Sequence, residues 1–170
     1  MMNEKSILNL LKKFSNELPK FEDGRINYSD SNEAPVVTIF VKYKNEILLL
    51  KRSDKVRTYR GKWNTIAGYL DEVKPLKEKV LEELREEIGV IEKNILNIKY
   101  GGSYKLKDKK INKIWIVHPV LVELKNKPEI VLDWEHTEYK WIKPKDLNKY
   151  DTVASLGETL NKVLEENAKK

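Results

Sequence analysis

At 170 residues, 40% of them hydrophobic and 35% charged, the chain is long enough for one domain with a sizeable core and a terminal extension. It contains no cysteine, which excludes disulfides, thiolate zinc sites and cysteine nucleophiles. The formal charge of +6 suits an anionic partner. No apolar run approaches the roughly 20 residues of a membrane span, and the N-terminus lacks a signal-peptide core, so no membrane partner and a cytoplasmic location are expected.

In chain order, Ile7, Leu10, Leu11, Phe14 and Leu18 recur at helical spacing and predict an amphipathic helix over residues 3–17, stopped by Pro19. A polar connector follows over 23–33, so residues 1–33 read as a helical extension and 34–170 as the main domain. Residues 36–43 and 46–50 predict a β-hairpin turning at Lys44-Asn45; 53–62 is a polar, basic loop; 63–68 is a short strand. A helix is expected over 75–88, with Leu76, Val80, Leu84 and Ile88 as its apolar stripe. Strands are expected over 97–106, 111–124, 130–132 and 138–142, then a helical turn near 145–147. Val153, Leu156, Leu160, Val163 and Leu164 mark a C-terminal amphipathic helix, with Ser155 and Glu158 as its capping box. This order predicts an α/β fold, an α/β/α sandwich with a mixed sheet and an added N-terminal helix.

The densest chemistry lies in the 75–88 helix. At roughly 100° per residue, Glu83, Glu86 and Glu87 fall within about one quadrant, beside the apolar stripe. Glu82/Glu86 and Glu83/Glu87 are like-charge pairs four residues apart, each disfavoured by roughly 0.2–0.5 kcal/mol in an isolated helix. A divalent cation reverses the sign of that cost, and Mg²⁺ prefers a few carboxylates together with waters and substrate phosphates. A merely solvated acidic face is the bland alternative.

With Gly68, Glu83, Leu84, Glu86, Glu87, Gly89 and Val90 at their signature positions, the segment resembles the Nudix hydrolase box, G-x5-E-x7-R-E-U-x-E-E-x-G-U with U aliphatic. The flanking Leu48 to Arg52, Gly61-Lys62-Trp63 and Ala67-Gly68 fit the same family, as does Glu135-His136-Thr137-Glu138-Tyr139-Lys140-Trp141-Ile142 downstream. Two positions depart: the first signature Glu is Lys74 and the signature Arg is Glu82, two opposite charge inversions that could pair as a structural brace of reversed polarity. The resemblance implies a Nudix-type sandwich and Mg²⁺ or Mn²⁺ held by Glu83, Glu86, Glu87 and the Ala67 carbonyl. Glu86, Glu87 and Glu135 are the implied catalytic carboxylates, with Glu138 second to Glu135. Arg52, Arg60 and Tyr59 are candidates for substrate binding, since arginine forks match phosphates and tyrosine stacks on bases. His136 could assist as an acid or base but reads more simply as a packed loop residue, as His118 does in its strand.

The expected activity is metal-dependent hydrolysis of a pyrophosphate bond in a nucleoside diphosphate linked to another moiety. The small-molecule substrate would be a nucleoside or dinucleoside polyphosphate or a nucleotide sugar. The alternative is a nucleotide-binding or regulatory module weakened by Lys74 and Glu82. An isopentenyl diphosphate isomerase would need the cysteine this chain lacks, and no aromatic-basic platform supports nucleic acid as a partner. The N-terminal helix is free to cap the domain, pair two subunits as a homodimer or lie over the cleft.

Overall fold

The structure is a computed structural model, and it describes residues 3–168. The elements run α1 (Glu4–Glu17), β1 (Glu33–Tyr43), β2 (Glu46–Arg52), β3 (Trp63–Asn64), β4 (Ile66–Tyr69), α2 (Leu76–Ile88), β5 (Ile95–Tyr100), β6 (Tyr104–Asp108), β7 (Lys113–Leu124), β8 (His136–Ile142) and α3 (Leu156–Ala168). Local chemistry sets the helix ends. The Asn3 side chain accepts from the Ser6 amide and caps α1, and Leu18 turns extended ahead of Pro19. Gly89 ends α2 at φ 72°, a left-handed conformation that glycine adopts without strain, and its amide donates to the Arg85 carbonyl.

β1 organises a mixed sheet. One edge runs parallel to β7 from Glu33 opposite Ile114 to Lys42 opposite Glu123. The other edge is shared: Val36 to Ile39 pair antiparallel with β4, and only Lys42 and Tyr43 pair with β2. The expected β1–β2 hairpin is therefore confined to its tip, and β2 pairs instead with β8 and β3. Alternate residues face opposite layers, as a strand dictates. Val37, Ile39, Val41, Leu48, Leu50, Val120 and Val122 join Leu76, Val80, Leu84 and Ile88 of α2 in one core. Phe40, Ile47, Leu49 and Leu121 join Leu156, Leu160 and Val163 of α3 in the other. The result is the expected α/β/α sandwich.

Several boundaries differ from the sequence reading, each for a local reason. The 63–68 strand is two strands, because β3 pairs with β2 whereas β4 pairs with β1. Thr65 sits at the break, its hydroxyl donating to the Ile39 carbonyl at 2.6 Å. The 97–106 strand is also two, broken at Gly101, Gly102 and Ser103 while both halves pair with β7. Residues 130–132 are not a strand: Ile130 and Leu132 pack in the core, and the Val131 amide donates to the Ile88 carbonyl at the end of α2. Ser155 takes φ 62°, not the extended conformation that a helix-capping residue needs, so the expected capping box does not form.

The N-terminal extension is packed into the domain. Ile7 and Leu11 enter the α2 core, while Phe14 packs with Ile26, Tyr28, Ala34 and Ile116. Beyond the helix, the Ile26 amide donates to the Asp71 carbonyl at 2.8 Å, and the Tyr28 hydroxyl donates to the Leu70 carbonyl at 2.7 Å. Residues 26–28 thus hold the loop between β4 and α2.

Candidate active site

Three segments converge: the end of β4, the inner face of α2 and the turn into β8. On α2, Leu76, Val80, Leu84 and Ile88 are buried in the core, and this fixes the helix rotation. Glu83 and Glu87 are buried beside them, whereas Glu86 is exposed. The quadrant expected from spacing therefore divides into two inner carboxylates and one at the rim. A Cβ on Gly68 would lie 2.9 Å from Glu83 Oε1, so any side chain there would push the carboxylate from its place against the β4 backbone. Ala67 immediately precedes it in β4.

Lys79 holds Glu83 from the other side. It is only 8% exposed, and its ammonium lies 2.9 Å from Glu83 Oε1, 3.3 Å from Glu82 and 3.5 Å from Asp71. Burial works to lower the Lys79 pKa, but Glu83, Asp71 and Glu82 outweigh it and hold the group above its ordinary value. The Lys74 ammonium lies 3.0 Å from the same Glu82 oxygen and 3.3 Å from Glu72. The two inverted signature positions are thus in contact, within a network of two lysines and four acids. Sequence reading passed over Lys79, although three and four residues to Glu82 and Glu83 is the spacing of side chains that meet on a helix. Asp71 gave no such signal, because the distant extension places it.

Glu87 is 3% exposed, and among the described residues its Oε2 has no hydrogen-bond partner. Burial raises its pKa well above the usual carboxylate range, and a hydrogen bond and repulsion from Glu83 add to this. Opposite it, the Asp133 carboxylate accepts from the Glu135 amide at 3.2 Å and faces His136 Nδ1 at 3.1 Å. The Ser53 amide donates to the Glu135 carbonyl at 2.7 Å, which ties this turn to the 53–62 loop. As a result, ligand atoms of Glu87, Glu135 and His136 lie within 4.8 Å of one another. Burial, then repulsion from Asp133 and Glu83, raises the Glu135 pKa, while burial lowers that of His136 despite Asp133. Glu138 is not brought to the cluster: it pairs with Lys51 at 3.3 Å on the exposed side of β8.

Of the three candidate substrate side chains, Arg52 lies beside this cluster. Arg52 Nε donates to the Thr58 carbonyl at 3.0 Å, and its guanidinium lies in the fields of Glu135 and Glu87. Arg60 is exposed, with Nε donating to the Val56 carbonyl at 2.7 Å. The Tyr59 hydroxyl donates to Asp108, linking the loop to β6. These bonds shape the loop as well as present charge at its rim. His118 is a packed residue, its Nδ1 between the Val36 and Ile116 carbonyls. The buried oxygen donors, the glycine-lined cradle for Glu83 and the orphaned Glu87 oxygen fit a hard divalent cation.

Comparison with known proteins places the fold in a family. A family model described as a NUDIX domain matches residues 32–163. The nucleoside triphosphatase NudI of Escherichia fergusonii is 23% identical over 131 residues, covering 74% of this chain and 93% of that protein. Among solved structures, an Ap4A hydrolase from C. elegans superposes with a TM-score of 0.64 at 21% identity, covering 81% of this chain and 99% of that one. A MutT protein from Methanosarcina mazei Go1 gives a TM-score of 0.64 at 25% identity, with 79% and 95% covered. The NUDIX domain of Shewanella oneidensis NrtR, solved with ADP ribose, gives 0.66 at 15% identity, with 79% and 88% covered.

Proposed function

Because the chain belongs to the Nudix hydrolase family and is a pyrophosphohydrolase of that kind, we propose that it cleaves a pyrophosphate bond in a nucleoside diphosphate linked to a further group, with Mg²⁺ or Mn²⁺ as cofactor. The substrate would be a nucleoside or dinucleoside polyphosphate or a nucleotide sugar, a small molecule and not a nucleic acid. The nucleoside triphosphatase and Ap4A hydrolase named among the similar proteins favour the polyphosphates. The observation that carries the reading is the buried pair of Glu83, held between Gly68 and Lys79, and Glu87, whose Oε2 has no partner among the described residues and whose carboxylate lies within 4.8 Å of Glu135 and His136 ligand atoms.

Glu83, Glu86, Glu87 and the Ala67 carbonyl would hold the cation. Bound there, it would neutralise phosphate oxygens and lower the pKa of a coordinated water. Glu135 would take the proton of the attacking water through a carboxylate oxygen not engaged by the cation. Arg52 and Arg60 would meet the phosphates from the loop rim, with Tyr59 beside them. The binding-module alternative rested on the charge inversions at Lys74 and Glu82. Lys79 supports the enzyme reading, because it supplies a buried cation to the neighbouring glutamate.

The test is product analysis on a panel of nucleotide pyrophosphates with Mg²⁺ or Mn²⁺, wild type beside Glu86→Gln. A nucleoside monophosphate formed by wild type and reduced at least about 100-fold in the variant supports hydrolysis at this site (about 2.7 kcal/mol of transition-state stabilisation). Binding of nucleotide and metal without turnover on any member of the panel would favour the binding module instead.

A further inference from the structure

His136 is placed as more than a packing residue. Its side chain is about 1% exposed, with Nδ1 3.1 Å from Asp133 Oδ1 and Nε2 3.8 Å from Glu87 Oε1. An ionised carboxylate on Nδ1 keeps the proton on that nitrogen and leaves the Nε2 lone pair facing Glu87. Nε2 and Glu87 Oε1 thus face each other inside the protein at a separation too long for a hydrogen bond. Glu87 Oε2, in a side chain 3% exposed, has no hydrogen-bond partner among the described residues. Glu135 completes the group, all three ligand atoms lying within 4.8 Å of one another. With metal–ligand distances of roughly 2.0–2.2 Å, neighbouring ligands of one ion lie about 3.0–3.4 Å apart, so binding would draw these side chains together by up to about 1–2 Å.

We propose that His136 Nε2, Glu87 and Glu135 form a mixed nitrogen–oxygen subsite that binds a first-row transition dication such as Mn²⁺ in preference to Mg²⁺. Imidazole suits transition ions, whereas Mg²⁺ favours an all-oxygen shell. Asp133 is the positioning residue, since it sets the tautomer and holds the ring toward Glu87. The inference rests on the metal-dependent reading above and adds to it a donor that the box carboxylates do not supply.

The test uses the full chain loaded with Mn²⁺. Electron spin-echo envelope modulation reads nitrogen coupled to the ion, and calorimetry reads Mn²⁺ and Mg²⁺ affinity. Imidazole nitrogen coupling in wild type is expected to be absent in His136→Gln. The variant should bind Mn²⁺ at least about tenfold more weakly and Mg²⁺ within about twofold of wild type, and Asp133→Asn should weaken Mn²⁺ in the same sense. Wild-type protein needs no substitution to give the modulation, so a poorly folded variant does not remove the test. With only two histidines in the chain, the same measurement on His118→Gln assigns any coupling. Mn²⁺ bound in a Glu83-dependent manner with no nitrogen coupling would overturn the imidazole ligand and leave the metal-dependent reading standing. Coupling that survives in His136→Gln and is lost in His118→Gln would overturn it likewise. No binding of either ion by wild type would overturn both.

Discussion

The ammonium of Lys79, a residue 8% exposed, has three carboxylates within 3.5 Å and cannot be deleted without stranding charge. Lys79→Met should therefore lower metal-free stability by about 3 kcal/mol, the cost typical of breaking a buried ion network from one side. Added Mn²⁺ should narrow the gap, because it neutralises Glu83; denaturant melts with and without the ion would show this. Lys79 and Lys74 share one Glu82 oxygen, so exchanging Lys74 and Glu82 alone does not reproduce the signature arrangement. Glu87 behaves in the opposite sense. Its folded pKa lies above the unfolded value, so the folded state binds the proton more tightly. Its contribution favours folding below the unfolded pKa and is lost as pH rises through the folded pKa. Glu87→Gln should flatten that part of the metal-free stability–pH curve and melt above wild type at pH 8. Each kcal/mol recovered is worth about 2–4 °C for a chain of this size. The variant should also lose the stabilisation by metal that wild type shows.

The box works as an element because α2 is rotated by its apolar stripe and then pinned at both ends. Gly89 closes one end and the loop from β4 opens the other. Within it, Glu83 is fixed from two sides, so Gly68→Ala would displace the end of that side chain rather than the backbone: its Cβ would lie 2.9 Å from a carboxylate oxygen already held by Lys79. The expected result is a near-wild-type melting temperature with metal affinity down about tenfold, about 1.4 kcal/mol, by calorimetry. The helix, its stripe and the order of its carboxylates were legible in the sequence, because periodicity reports burial directly. Glu135 was legible through its neighbours. Lys79 and Asp133 were not recognised, since a charged residue on an amphipathic helix or in a turn reads as solvated until its partners are known. The broken strands escaped for a related reason: Thr65 and Gly101 mark places where the chain changes or interrupts its pairing, and pairing is not local information.

At the scale of the molecule, the extension and the site are joined. Tyr28 and Ile26 bond the loop that carries Asp71, Asp71 faces Lys79, and Lys79 holds Glu83. Tyr28→Phe should cost about 1–2 kcal/mol for the lost buried hydrogen bond. It should also weaken metal binding a few-fold, although residue 28 is not a ligand. Paired denaturation and calorimetry would register both, and unchanged affinity at lowered stability would show that the extension supports the fold alone. The position of β1 at the middle of the sheet carries a temporal meaning as well. Its parallel neighbour β7 is separated from it in the chain by β2, β3, β4, β5 and β6. Such non-local pairing is slow to find relative to a helix. On a ribosome, therefore, the box helix is made before the sheet that orients it can close, and the carboxylates acquire their register only after more than half of the protein has emerged.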